Sequence, residues 1–118
     1  MAGKLSTHIL DTYKGAPAGG VRWALDFFNE SGQWIRLDSG ITNSDGRTDA
    51  PLLLDDALKT GKYRLVFEIG AYFEGQGVPL PQPAFLDEVV LQVSLLAGES
   101  YHVPLLTSPW SYSTYRGS

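Results

Sequence analysis

One stretch of sequence decides the fold: Val21-Arg22-Trp23-Ala24-Leu25-Asp26-Phe27-Phe28, followed by the link Asn29-Glu30-Ser31-Gly32 and the run from Trp34 to Ile41. In the first segment, large apolar side chains stand at positions 21, 23, 25 and 27, which is the period of a strand with one buried face. The link is short and rich in turn-forming residues, so it favours a hairpin. The sequence therefore predicts two antiparallel strands at the centre of a sheet.

The same alternation predicts further strands along the chain. They span Leu5 to Asp11, Tyr63 to Ile69, Val89 to Leu95, Tyr101 to Leu106 and Ser111 to Arg116. About seven or eight short strands separated by turn residues are typical of an antiparallel β-sandwich. Helical signal is weak, with one turn possible at Asp55 to Lys59 and another at Ala71 to Glu74. We therefore predict an all-β, two-sheet antiparallel sandwich.

Composition restricts the possible functions. The chain has 118 residues, of which 43% are hydrophobic, and we expect a single domain over residues 1–118. Its net charge of −4 disfavours nucleic-acid binding, and the absence of cysteine excludes disulfides and thiolate chemistry. No apolar run reaches the ~20 residues that span a bilayer. The N-terminus lacks the pattern of a signal peptide, so we expect a soluble, cytoplasmic protein without a membrane partner.

Two histidines, His8 and His102, lie within predicted strands. Each taken alone is best explained as a partly exposed strand residue with one hydrogen bond. Because an ordinary imidazole has a pKa of ~6.5, either could also act as a general base near neutral pH. No third ligand stands at a recognisable spacing, so we expect no metal site.

A polar turn, Asn43 to Asp49, follows the strand that ends at Ile41. A turn anchored by a side chain, with Gly46 in the left-handed region, explains most of its residues. That structure does not require Arg47. A guanidinium there could hold an anionic or carbonyl-rich substrate and stabilise charge in a transition state.

The C-terminal segment, Ser108 to Ser118, is aromatic and rich in hydroxyl groups to its end. One interpretation is an edge strand whose hydroxyls lie on an exposed surface. The other has Tyr115, Arg116 and Ser118 folded into a pocket, with the terminal carboxylate near the histidines. The sequence pattern leaves both open. The sequence as a whole contains no nucleophile elbow, phosphate-binding loop or zinc signature.

These segments resemble the transthyretin-related family over essentially the whole chain. Leu5 to Thr12 with Gly15 to Ala18 is similar to the opening of that family, and Ser108 to Thr114 resembles the last strand of transthyretin. Four features separate the family's 5-hydroxyisourate hydrolases from its hormone carriers. This sequence has all four: His8 in the first strand, Arg47 in Gly-Arg-Thr-Asp, His102 in Tyr-His-Val-Pro-Leu-Leu, and the terminus Tyr115-Arg116-Gly117-Ser118. Trp110 stands where a tyrosine is commoner.

The resemblance implies a transthyretin-like sandwich of eight strands with one short helix, here near Ala71 to Glu74. It implies a homotetramer, a dimer of dimers, with active sites in a channel at the dimer–dimer interface. The implied reaction belongs to urate degradation: water opens the six-membered ring of 5-hydroxyisourate at an amide bond, giving 2-oxo-4-hydroxy-4-carboxy-5-ureidoimidazoline. The resemblance implies no metal and no organic cofactor.

It also implies roles for the site residues. His8 and His102 would activate the water and protonate the leaving nitrogen, without an assignment of which does which. Arg47 would hold the substrate carbonyls and the oxyanion, and Ser118 would place a hydroxyl and a carboxylate in the pocket. Arg116 would anchor that end of the chain, and Tyr115 would either line the site or pack.

The alternative function is a non-catalytic carrier of a small aromatic ligand in the tetramer channel. An apolar residue in place of His8, Arg47 or His102 would favour the carrier, and the sequence has none there. A purely structural sandwich would leave the paired histidines and the C-terminal Arg-Gly-Ser unexplained.

Overall fold

This computed structural model describes residues 2–118, which contain eleven short strands and one α-helix. The strands are β1 Lys4–Ser6, β2 Ile9–Asp11, β3 Ala16–Pro17, β4 Arg22–Phe28, β5 Trp34–Ile41, β6 Leu53–Leu54, β7 Gly61–Glu68, β8 Glu88–Leu95, β9 Ser100–His102, β10 Leu105–Thr107 and β11 Tyr112–Thr114. A 3-10 turn, Asp55–Ala57, precedes β7, and helix α1, Ile69–Gly75, follows it.

The predicted central hairpin is confirmed. Strands β4 and β5 pair antiparallel and lie in a four-stranded sheet of order β5-β4-β7-β8. The turn is closed by the Asn29 N–H, which donates to the Gln33 carbonyl at 2.9 Å. Gly32 supplies the left-handed conformation there, with φ at 76°. On the inner face of β4, Trp23 and Leu25 are buried in the core as the alternation predicts.

The second layer consists of two small sheets, of order β6-β1-β9 and β11-β10-β2-β3. In each of them one pair is parallel: β1 runs parallel to β9, and β2 runs parallel to β10. The predicted sandwich with one short helix is thus confirmed, although its second layer is mixed rather than purely antiparallel.

Two predicted strands are each interrupted. The run from Leu5 to Asp11 divides into β1 and β2, and the run from Tyr101 to Leu106 divides into β9 and β10. Pro104 lies in the second gap and has no N–H with which to continue the ladder. The prediction that His8 lies inside a strand is therefore wrong, since His8 lies in the gap between β1 and β2. The two interruptions and the two-residue strands β3 and β6 raise the number of strands above the seven or eight predicted.

Helix α1 extends the predicted turn at Ala71 to Glu74 by a few residues and packs against the second layer. The Tyr72 hydroxyl donates to the buried Asp11 carboxylate at 2.8 Å. Burial, together with this neighbouring carboxylate, raises the pKa of Tyr72, so its hydroxyl stays protonated and holds the helix to β2. In residues 2–118, no helix is long and apolar enough to cross a membrane.

The outer face of the four-stranded sheet carries a buried carboxylate with paired cations. Asp26 of β4 accepts hydrogen bonds from Arg36 Nε at 2.9 Å and Arg64 Nε at 2.7 Å. The hydrogen bond from Arg36 holds the pKa of Asp26 below its ordinary value against the opposing effect of burial, with Arg64 adding to it. Arg64 also stacks on the Trp34 ring, 4.5 Å from its centroid. These charges satisfy one another and stabilise the sheet.

Candidate active site

His8 and Arg47 are brought together by an isolated antiparallel bridge between their backbones. Next to it, the Ile9 N–H donates to the Gly46 carbonyl at 2.8 Å. The Nε2 atom of His8 lies 2.8 Å from the Asp45 carbonyl oxygen. Because a carbonyl oxygen can only accept, His8 carries a proton on Nε2, and Nδ1 is its remaining nitrogen for chemistry.

The turn that carries Arg47 has the predicted form. The Asn43 Oδ1 atom accepts the N–H of Asp45 at 2.9 Å and the N–H of Arg47 at 3.1 Å. Gly46 adopts a left-handed φ of 72°, and a Cβ atom there would also collide with the Ile9 carbonyl. Asn43 and Gly46 therefore shape the loop so that Arg47 lies beside His8.

His102 ends β9 and is held from two sides. On one side, β1 places Ser6 directly opposite it, and Ser6 Oγ lies 2.9 Å from His102 Nδ1. On the other side, the His102 N–H donates to the Gly117 carbonyl at 3.1 Å, and the Gly117 N–H donates to the His102 carbonyl at 2.7 Å. A Cβ atom at Gly117 would lie 3.1 Å from His102 Cβ, so a larger residue there would press on the histidine.

The environment of His102 favours its neutral form. Burial lowers the pKa of His102 below 6.5, and the nearby Arg47, His8 and Lys4 lower it further because each disfavours a second positive charge. The imidazole is therefore neutral at pH 7 and has a lone pair available to accept a proton.

A cleft of about 170 Å³ lies beside these groups. Its lining residues are mostly polar and come from β1 and the segment after Gly46: Lys4, Ser6, Thr7, Arg47, Thr48, Asp49, Ala50 and Pro51. Three larger hollows are also present. One, of about 430 Å³, is on the outer face of the four-stranded sheet and includes Arg22 and Arg36, and another, of about 310 Å³, lies beside Tyr101. The third, of about 250 Å³, adjoins the cleft, with which it shares residues 48–51. Arg47 lines the 170 Å³ cleft, and Ser6, which also lines it, contacts the His102 ring.

The C-terminal residues lie along the edge of β9, and their side chains point to different faces. Gly117 lies on His102, and Ser118 follows it and is exposed. The Arg116 guanidinium instead lies over the Tyr101 ring, 4.6 Å from its centroid, and 3.6 Å from a Glu99 carboxylate oxygen. Successive strand residues face opposite ways, so Arg116 is on the side away from the His102 ring.

Tyr115 is exposed and, like Arg116, lines the 310 Å³ hollow. Within one chain the structure thus brings together His8, Arg47 and His102, and it does not bring the side chains of Tyr115 and Arg116 to them. The substrate-binding roles of Tyr115, Arg116 and Ser118 stay predictions.

Lys4 and Ser6 lie near His102 as well and were not among the predicted site residues. A signal for Ser6 was present, because alternation along the predicted strand Leu5 to Asp11 places it on one face with His8, while Lys4 lies just before that strand. Among residues 2–118, no group of three or more histidine or carboxylate side chains is arranged to hold a metal ion.

The comparisons with known proteins agree with this fold. The model of the HIUase/Transthyretin family matches residues 5–117. A 5-hydroxyisourate hydrolase of Pseudomonas aeruginosa is 48% identical over 98% of this chain and 92% of its own length. Among solved structures, 5-hydroxyisourate hydrolase of Klebsiella pneumoniae is 35% identical with a TM-score of 0.77, covering 98% of this chain and 99% of its own. Sea bream transthyretin in complex with thyroxine is 28% identical with a TM-score of 0.86, covering 97% and 94%.

Replacement of Arg47 by glutamine is expected to raise the pKa of His102. The variant removes a cation that disfavours the imidazolium, so the pKa moves back toward 6.5 while burial still holds it below that value. A pH titration of the histidine ring signals by NMR, assigned with His8→Asn, measures the shift. Arg22→Gln, on the outer face of the other sheet, is the control. An unchanged His102 pKa in Arg47→Gln, or an equal shift in the control, would contradict the placement of Arg47.

Proposed function

Since the chain belongs to the HIUase/transthyretin family, we propose that residues 1–118 form one domain that hydrolyses 5-hydroxyisourate. Relatives that are 42–52% identical to this chain over at least 97% of its length are named 5-hydroxyisourate hydrolases. The chain is accordingly a hydrolase, and its substrate is a small molecule of urate degradation. The observation that carries the proposal is the approach of His8 and a neutral His102 to Arg47, which lines a polar cleft.

The reaction places three demands on a site. A water molecule must lose a proton as its oxygen bonds to the carbonyl carbon, the negative carbonyl oxygen of the intermediate must be stabilised, and the leaving nitrogen must gain a proton. Hydrolysis breaks the C–N bond and leaves a carboxylate on one side and an N–H on the other. Two imidazoles and a guanidinium supply groups for all three steps.

We assign the base to His102. A base must be unprotonated at working pH, and burial, together with the nearby Arg47, lowers the pKa of His102 and keeps it neutral. His8 has its Nε2–H engaged by the Asp45 carbonyl, so in its protonated form it would deliver a proton to the leaving nitrogen from Nδ1.

Arg47 is the group for the developing oxyanion. Its guanidinium is always charged and presents several N–H donors in a fixed plane, which suits a substrate bearing several carbonyl oxygens. We propose that Ser118 adds its hydroxyl to the same pocket next to Gly117. Arg116 anchors the terminus through Tyr101 and Glu99, and Tyr115 lies at the edge of the site formed in the assembled protein.

Turnover can be measured by producing 5-hydroxyisourate in situ with urate oxidase and following its ultraviolet absorbance. We expect the protein to accelerate the decay, and Arg47→Ala to lower kcat/KM by about 10²–10³-fold, the cost of removing one oxyanion donor. His102→Asn is expected to lose most of the activity, and Arg22→Ala to retain it. The rate should fall as the pH drops below 6.5 through the lowered pKa of His102, since a protonated base cannot accept a proton.

Two results would contradict the hydrolase. One is decay at the spontaneous rate with folded protein. The other is full activity in His102→Asn and Arg47→Ala. Binding of a small aromatic ligand without turnover would instead support the carrier function, which the polar lining of the cleft disfavours.

We propose that the protein is a homotetramer, a dimer of dimers, with active sites at the dimer–dimer interface. Support comes from an exposed aromatic pair: Phe85 is 68% exposed and Trp110 is 57% exposed, with ring centroids 6.0 Å apart. Exposed apolar patches of this kind mark protein–protein contacts. Trp110 lies in the loop before the short edge strand β11, where Tyr112 is also exposed.

Multi-angle light scattering tests the assembly. The wild type is expected at about four times 12.9 kDa, and Trp110→Lys is expected to shift the mass toward smaller species because a charge replaces an apolar contact. Leu37→Lys, an exposed apolar residue on β5, is the matched control and should keep the wild-type mass. A monomeric wild type with full activity would contradict a site formed between subunits.

A further inference from the structure

Ser6 contacts the His102 ring at a fixed point of the sheet. Strands β1 and β9 are parallel and place the two residues opposite each other, with Ser6 Oγ 2.9 Å from His102 Nδ1. The backbone around this pair is held by the Val103 N–H, which donates to the Ser6 carbonyl at 2.8 Å. The buried Thr7 hydroxyl donates to the Val103 carbonyl at 2.7 Å. The backbone at Ser6 therefore cannot shift along β9 without disturbing these hydrogen bonds, so Ser6 starts from a fixed point opposite His102.

We propose that Ser6 is a positioning residue for His102: its hydroxyl oxygen accepts the Nδ1–H and so leaves the Nε2 lone pair for the attacking water. The inference rests on the hydrolase function proposed above. Ser6 does not touch the reacting atoms in this role. It selects the tautomer and fixes the orientation of the ring.

The proton balance of the reaction supports this arrangement. When the water oxygen bonds to the carbonyl carbon, Nε2 takes one proton and His102 becomes an imidazolium, with Nδ1–H still donating to Ser6. When the C–N bond breaks, the leaving nitrogen takes one proton. If His102 supplies it, the imidazole returns to its neutral form. If a protonated His8 supplies it, the proton held on His102 Nε2 passes to His8 through solvent, so both histidines regain their starting forms. Ser6 keeps its own proton throughout.

A hydroxyl differs from a carboxylate in this position. In the catalytic triads of serine proteases a buried carboxylate orients the imidazole and also stabilises its charged form. A neutral hydroxyl orients the ring without that stabilisation, which is consistent with the lowered pKa of His102. Ser6 thereby orients the base without stabilising its charged form as a carboxylate would.

The charged groups around His102 define what a substitution should do. Lys4 from β1, His8 from the gap after β1 and Arg47 from the turn all lower its pKa. Glu99 and Arg116 pair with each other beside Tyr101, on the opposite face of β9. An aspartate at position 6 would therefore place an anion against Nδ1 in otherwise cationic surroundings, and the pKa of His102 would rise.

Three variants at one position separate positioning from simple packing. Ser6→Ala is expected to lower kcat by about 10-fold to 100-fold with little change in KM, a part of the ~10²–10⁴ that a positioned base contributes. Ser6→Thr keeps the hydroxyl and should restore most of kcat. Ser6→Asp should move the acidic limb of the kcat/KM profile to higher pH. Ser39→Ala, an exposed strand serine on β5, is the matched control.

Nitrogen NMR of the imidazole provides a readout that does not need turnover. We expect His102 in the wild type at pH 7.5 to carry its proton on Nδ1, and Ser6→Ala to show a mixture of both tautomers. If Ser6→Ala fails to fold, the wild-type tautomer and the Ser6→Thr and Ser6→Asp profiles still decide the matter.

A wild-type His102 protonated on Nε2 would overturn the proposal, and so would an unchanged kcat and pH profile in Ser6→Ala. Failure of the wild type to accelerate decay of 5-hydroxyisourate would contradict the hydrolase function instead. The tautomer measurement would still report what Ser6 does to the ring, so the two failures are distinguishable.

Discussion

The parallel register of β1 on β9 is the constraint on which the rest of the site depends. It sets Ser6 opposite His102 and continues across both strand interruptions, because the Val103 N–H donates to Ser6 and the Leu105 N–H donates to the carbonyl of His8. From His8 the same segment reaches the turn that carries Arg47, through the Ile9 N–H and the Gly46 carbonyl. Gly117 then pairs with the other edge of His102. Backbone hydrogen bonds thus assemble four distant parts of the chain around one imidazole.

Electrostatics then distinguishes this site from the other charged face of the molecule. On the outer sheet Asp26 lies between two arginines, so positive and negative charges are satisfied and the network is structural. Lys4, His8 and Arg47 all lie near His102, and the groups that shift the pKa of His102 include no carboxylate. In a protein of net charge −4, this local excess of positive charge keeps the base neutral and suits an anionic or carbonyl-rich ligand. One set of cations therefore serves both binding and the protonation state of the base.

The sequence pattern predicted the elements whose signals are local. The central hairpin, the turn with Gly46 and the short helix each follow from residues that are neighbours in the chain. The sequence pattern did not predict the interruptions of two strands, because alternation shows which face a residue occupies and not where its hydrogen-bonded partner strand ends. Pro104 was the one local signal, since it has no N–H for the ladder. Lys4 and Ser6 were missed because lysine and serine on a strand face are ordinary, and only the pairing of β1 with β9 brings Ser6 to an imidazole. The side chain of Arg116 lies over Tyr101 because Gly117 pairs with His102. That pairing register cannot be predicted from the sequence pattern alone.

A crystal structure at neutral pH with a hydrolysis-resistant analogue of 5-hydroxyisourate would show which groups a substrate-like ring contacts. We expect the analogue in the cleft beside Ser6 and Arg47, with the Arg47 guanidinium and His102 Nε2 within ~3.2 Å of its polar atoms or of a water molecule on its carbonyl carbon. An analogue seated in the hollow at Arg22 and Arg36, or beside Tyr101, and touching neither Arg47 nor His102, would contradict it.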